Sequence, residues 1–228
     1  MRIRTLLAAT TAVALVAAAP GAEASNLYVS VFGGANWLAD DSGVTTEETT
    51  SGHWSQSADT GFVLGGAVGT HLDRWVNGLS VEMEVSYRRN DLGGHWSEPE
   101  EDEFGILTGN MSTFAIMANA WYEFDIGSKA RPYFGGGVGW SRMNADMVAV
   151  STSDGIATST DTNDSFENSG FAYQLGAGFH YEVSPGVDVG LGYRFFDGPN
   201  FQEFFESEDG SLVNQSHAVL VDLKIDIN

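Results

Sequence analysis

"LSVEMEVSYRRN", Leu79 to Asn90, alternates strictly: Leu79, Val81, Met83, Val85 and Tyr87 are apolar, while Ser80, Glu82, Glu84, Ser86 and Arg88 are polar. Period two over this length is the signature of a strand with one apolar and one polar face. The same reading outward along the chain predicts seven more strands, at Asn26–Leu38, Ala58–Leu72, Asn110–Phe124, Arg131–Met143, Ser169–Val183, Val187–Phe196 and Gln215–Ile227. No convincing helical period occurs beyond the N-terminal segment.

These strands are long. Strands that cross a bilayer at a tilt need about 9–11 residues, whereas those of soluble domains run about 5–6. The connections alternate as well. Ala39–Ser57, Asp91–Gly109, Asn144–Asn168 and Asp197–Asn214 are long, and Asp73–Gly78, Asp125–Ala130 and Ser184–Gly186 are short. An up-and-down barrel places alternate connections at opposite ends, so the chain is expected to be all-β, an eight-stranded antiparallel up-and-down transmembrane β-barrel with both termini on the short-turn side. The long connections contain twenty Asp and Glu and no Lys or Arg. The short ones carry both signs, with Asp73 beside Arg74 and Asp125 near Lys129.

The ends and the composition agree with export. Arg2 and Arg4 precede an apolar run, Leu6 to Ala19, which leads to Ala22-Glu23-Ala24, the pattern of a cleavable secretory signal. Residues 1–24 are therefore expected to be removed, and 25–228 to form one barrel domain. The chain has no Cys, so neither disulfides nor a lipid-modified Cys is available. Its net charge is −21, one unit more negative once Arg2, Arg4 and Glu23 are discounted, which excludes nucleic acid as a partner. With 28 Gly and 12% aromatics the composition also argues against disorder.

With Leu79 to Tyr87 facing lipid, the equivalent outward set includes Val31, Leu64, Ile116, Val138, Leu175, Leu191 and Val221. Trp37, Trp140, Tyr122, Phe124, Tyr181 and Tyr193 fall towards strand ends, as aromatic girdles do. The inward set is polar: Glu82, Glu84, Arg88, Thr113, Asn119, Glu123, Gln174, His180, Glu182, Asp188, Arg194, Asp222, Lys224 and Asp226. Eight strands leave a lumen just wide enough for side chains, so these charges are expected to pair as a plug. Seven acids against three bases leave a negative surplus, which would favour cations if the lumen conducted.

"RPYFGGGVGWSRM", "SGFAYQLGAGFHYEVSPGVDVGLGYRFFD" and "SHAVLVDLKIDIN" resemble the small outer-membrane barrels of Gram-negative bacteria. These are the opacity-protein and porin-like surface antigens, related in architecture to the OmpA transmembrane domain. The resemblance covers essentially the whole mature chain. It implies a protein of the cell outer membrane, in contact with its lipid and lipopolysaccharide, whose exposed loops are often antigenic and sometimes adhesive towards host surfaces or matrix. Two features depart from the pattern: such barrels commonly finish on an aromatic residue, whereas this chain ends Ile227-Asn228, and no peptidoglycan-binding domain follows.

Other chemistry reads weakly. "FGGGVG", Phe134 to Gly139, lacks the helix a phosphate loop needs. "DTNDSFE", Asp161 to Glu167, puts Phe166 where a calcium loop requires Gly. Ser216 and His217 are adjacent and so point to opposite faces, and neither His71 nor His180 has an evident Ser or Asp partner. An enzyme acting on lipid therefore ranks below a non-enzymatic barrel, and no metal or cofactor is expected. "SGHWSQS", Ser51 to Ser57, and "GGHWSEPEEDE", Gly93 to Glu103, repeat the tetrad Gly-His-Trp-Ser in the first two long connections. His53, Trp54, His95 and Trp96 are expected either to pack those loops on the rim or to converge into an interaction patch, joined by Phe201, Phe204 and Phe205. The favoured role is a surface structural or interaction protein, a monomer, ahead of a weakly cation-selective channel.

Overall fold

The computed structural model describes residues 26–39, 42–46, 51–98, 103–153, 156–158, 164–200 and 214–227. Residues 1–24, expected to be a leader, and Phe201, Phe204 and Phe205 lie outside the described residues. Eight strands close the barrel: β1 (Leu27–Leu38), β4 (Gly61–His71), β5 (Leu79–Glu98), β6 (Glu103–Glu123), β7 (Ala130–Ser153), β9 (Asp164–Ser184), β10 (Val187–Asp197) and β11 (Gln215–Ile227). Each pairs antiparallel with its neighbour, and β1 closes on β11 from Leu27↔Ile227 to Leu38↔Ser216. Closure leaves no open edge in this part of the wall, which is what a strand needs in hydrocarbon.

The wall is inside-out. Phe171 (67% exposed), Val31, Leu64, Leu175 and Val221 face outward, whereas Glu84 (0%), Glu82, Arg88 and Lys224 are buried. A soluble protein has the opposite distribution, so the medium around this belt is lipid. Phe124, Phe134, Tyr122 and Tyr181 ring one end of the belt, and Trp37, Phe62, Tyr87, Trp140 and Phe171 the other. The three short turns lie together beyond the first ring. Each contains a glycine with positive φ, Gly78 at 82°, Gly127 at 72° and Gly186 at 73°, where a side chain would be strained.

At the far end the wall does not stop where the sequence places the loops. β5, β6, β7 and β9 are 20 to 24 residues long, so a tilted strand of this length reaches about 50 Å against an apolar band about 25 Å tall. The β5–β6 ladder runs unbroken to Glu98↔Glu103, and β7–β9 to Met147↔Asp164. Where β4 ends, β3 (Ser51–Ala58) takes over pairing with β5, and the Asp59 amide donates to the Asp91 carbonyl at 3.0 Å across the join. β2 (Ser42–Thr46) adds to β3, and β8 (Ile156–Thr158) to β7. The expectation of four long loops is thus corrected: much of Ala39–Ser57, Asp91–Gly109 and Asn144–Asn168 is strand. Both faces of this extension lie outside the lipid belt, so nothing imposed the apolar alternation by which strands are recognised.

Candidate functional site

The lumen is built by the inward residues of every barrel strand, two apart along each chain. Near the short turns, Arg131 on β7 gathers three carboxylates: Glu123 at 3.1 Å, Glu182 at 3.5 Å and Asp188 at 2.5 Å. His180 bridges Glu123 (2.9 Å) and Asp222 (3.2 Å), Lys224 bonds Glu123, and His71 meets Asp226 at 3.3 Å. Tyr133 stacks on His180 with ring centroids 4.5 Å apart. Glycine makes the room: a Cβ at Gly190 would lie 2.1 Å from Asp222 Oδ1.

One layer further in, Glu82 accepts bonds from Tyr28 Oη (2.9 Å), Asn119 Nδ2 (3.0 Å) and Trp121 Nε1 (2.8 Å). Glu84 accepts from Asn119 (2.9 Å), Gln174 (3.1 Å) and Arg194 (2.5 Å) through its Oε2. Arg194 also lies over Phe32 and Trp121, at 4.8 and 5.0 Å from the ring centroids. Low dielectric strengthens every such contact, and the network fixes each rotamer. A small cavity of about 30 Å³ lies between Tyr28, Phe32, Glu82 and Trp121, room for about one water.

Towards the far end the described lumen residues are neutral apart from Arg88. Arg88 donates to Ser86 Oγ at 2.9 Å and lies 3.9 Å from the Phe196 centroid. Asn36 and Asn90 pair at 2.6 Å, and Thr113 donates to Asn214 Oδ1 at 3.1 Å. The charged side chains Glu82, Glu84, Arg88, Glu123, Glu182, Asp188, Arg194, Asp222, Lys224 and Asp226 thus all occupy the lumen or its mouth.

Sequence reasoning missed Arg131, which makes four bases rather than three against seven acids. Its parity with Tyr133, opposite to outward Phe134, carried the signal. Tyr28, Phe32, Trp121, Tyr133 and Phe196 were also missed as lumen residues; all five are buried. His71 and His180, without evident partners in the sequence, are both held by lumen carboxylates. His217 by contrast lies on the outer wall and shares a 2.5 Å bond with Tyr193 Oη, while Ser216 is buried.

The extension brings the two Gly-His-Trp-Ser copies side by side. β3 and β5 pair with Trp54 opposite Trp96, His53 opposite Ser97, and Ser55 opposite His95. The two Trp positions therefore share one face of the ladder, and the two His positions share the other, one diagonal apart. Below them, a shallow outward groove of about 820 Å³ crosses Ala118, Ala120 and Gly136 between Met83 and Leu175. It lies within the apolar belt and is a feature of the lipid-facing wall, not of the lumen.

Residues 5–221 match the family described as outer membrane protein beta-barrel domain. The chain belongs to this family. The match agrees with the closed wall and its apolar belt, and it places the protein in the outer membrane. An uncharacterized protein of Brucella abortus (strain 2308) is 26% identical over 151 residues, 60% of this chain and 53% of the relative, so the chain spans about half the length of the curated relatives it matches. Among solved structures, Neisserial surface protein A superposes with a TM-score of 0.54 at 18% identity, covering 91% of this chain and 99% of that one. OprG of Pseudomonas aeruginosa gives 0.50 at 12% identity, covering 89% and 97%. At these identities the likeness concerns the fold alone.

Proposed function

We propose that this outer-membrane barrel is a non-enzymatic surface-recognition protein, anchored by its lipid-facing wall and contacting extracellular ligands through the sheet at its far end. The carrying observation is the register that sets Trp54 opposite Trp96, because it turns a repeated tetrad into one aromatic platform, with both Trp positions on one face of the ladder and both His positions on the other. A face with two Trp positions suits rigid aromatic contact at small entropic cost, and the opposite face, with its His and Ser positions, suits hydrogen bonding to a glycan or protein surface. The acidic tips make that surface selective against anionic ligands. Delivery by the leader at 1–24, action as a monomer, and a contribution of Phe201, Phe204 and Phe205 to the platform belong to the same reading. The filled lumen favours it over a conducting channel.

The test compares intact cells bearing wild type with cells bearing the Trp54→Ala, Trp96→Ala double variant, scored for adherence to host cells and to matrix-coated surfaces. Loss of adherence with unchanged heat-modifiable gel mobility supports the reading. Equal adherence by both, and by cells lacking the protein, overturns it. Single-channel steps in planar bilayers that shrink when Glu82 and Glu84 become Gln would replace it with the channel.

A further inference from the structure

In a chain this acidic, the position of each base is informative. Ten Lys and Arg stand against 31 Asp and Glu, and two of the ten, Arg2 and Arg4, fall within residues 1–24. Arg88, Arg131, Arg194 and Lys224 occupy the lumen, and Arg74 and Lys129 lie on the short turns. The remaining two, Arg89 and Arg142, are on the outer wall. Arg89 is exposed between buried Arg88 and Asn90, and Arg142 is exposed between buried Ser141 and Met143.

The ladder sets these two arginines in one patch at the far end of the lipid belt. Arg89 on β5 is in register with Ser112 on β6 and through it with Asn144 on β7, while Arg142 is one outward position nearer the membrane, opposite Phe114. Strands two apart are separated by about 10 Å, so the two bases flank β6 from either side. The outward row beneath them is aromatic, with Tyr87 and Trp140 both exposed and Phe62 opposite Arg89 on β4. The row above is acidic, with exposed Asp91 and Asp146 in register across Asn110. Successive outward positions on β5 thus read Val85, Tyr87, Arg89 and Asp91, which is apolar, aromatic, basic and acidic at about 7 Å per step.

One carboxylate shares the basic row: Glu167 pairs with Arg142. Both side chains are half-exposed, so the pair is weak, and guanidinium carries five donors, enough for a second acceptor. Among the described residues Arg89 has no carboxylate partner. The row therefore keeps one net positive charge where acyl chains give way to headgroups. We propose that Arg89 and Arg142 bind the phosphates of one outer-leaflet glycolipid lying across Ser112, with its acyl chains against the aromatic row. Guanidinium takes phosphate through paired N–H donors, and the acidic row above stops the phosphates from riding higher. The sector from β4 to β7 is singled out, since β1, β9, β10 and β11 carry no outward base. The site belongs to the anchoring wall and does not depend on the recognition platform.

The experiment is native mass spectrometry of the purified, folded full chain in detergent. The probes are bis-phosphorylated lipid A, the acylated disaccharide anchor of lipopolysaccharide, and the same lipid with both phosphates removed. Wild type is expected to retain the phosphorylated form about tenfold better, and the Arg89→Gln, Arg142→Gln double variant to lose that preference while keeping its heat-modifiable gel mobility. An Arg74→Gln, Lys129→Gln variant, altered only on the short turns, is expected to keep it. Equal retention of the two lipids by wild type overturns the proposal, and this arm needs no substitution to fold. So does a preference that survives the double variant, or one lost in the short-turn variant instead. Displacement of the lipid by an equal concentration of inorganic phosphate also overturns it, because the patch would then be a site for free anions.

Discussion

The wall inside the belt and the wall beyond it are made of the same ladders, yet they are held by different forces. Within the belt every edge is closed, the outer face is apolar and the inner face is a bonded network. Beyond it, among the described residues, the strand order β2-β3-β5-β6-β7-β9 forms an open sheet, because β1, β10 and β11 end near the rim. Stability therefore resides in the first region, and the second is free to vary in sequence at small cost. Backbone pairing alone extends a sheet, but a buried polar network is what commits it to one closed shape.

That contrast can be broken most severely from inside. Glu84→Ala leaves Arg194 buried without its carboxylate, a loss of about 3–5 kcal/mol expected as a lower urea midpoint in detergent. A charge on the lipid face comes next. Val221→Arg, on the exposed outer wall of β11, should cost about 2–4 kcal/mol in bilayers at mid-depth and be scored by the fraction folded into vesicles. Trp96→Ala in the extension should cost about 0.2–1 kcal/mol of folding stability while sharply reducing adherence, which separates contact from scaffold. The smallest effect belongs to Arg142 and Glu167, a pair half-exposed on both sides. Arg142→Ala should change the midpoint by less than about 1 kcal/mol, and less still in high salt. A large loss there, or a negligible one at Glu84, would reverse the division of labour.

The sequence was legible wherever a medium acted on one face only. Leu79 to Tyr87 alternate because hydrocarbon touches one side and the plug the other, and the parity so obtained places Glu82, Glu84 and Arg88 inward as observed. Past Asn90 that pressure vanishes: Gly93, Gly94, Ser97 and Glu98 carry no period, although they continue the same strand. The lumen aromatics were hidden for another reason. Tyr28 and Trp121 read as apolar residues, but their Oη and Nε1 are the donors that satisfy Glu82. No rule of spacing tells that Trp54 pairs in register with Trp96, since the pairing depends on β3 replacing β4.

The length of the β5–β6 ladder also settles an electrostatic question. From Tyr87 at the girdle to Glu98 at the tip is eleven residues, about 36 Å along the strand and about 25 Å in height once tilted. Ionic atmospheres at physiological salt extinguish fields over about 8 Å. Glu98 and Glu103 therefore stand roughly three screening lengths from any anionic headgroup, and their repulsion by the membrane that carries them is negligible. The acidic tips respond to the ions and ligands of the surrounding fluid and are electrically blind to their own anchor.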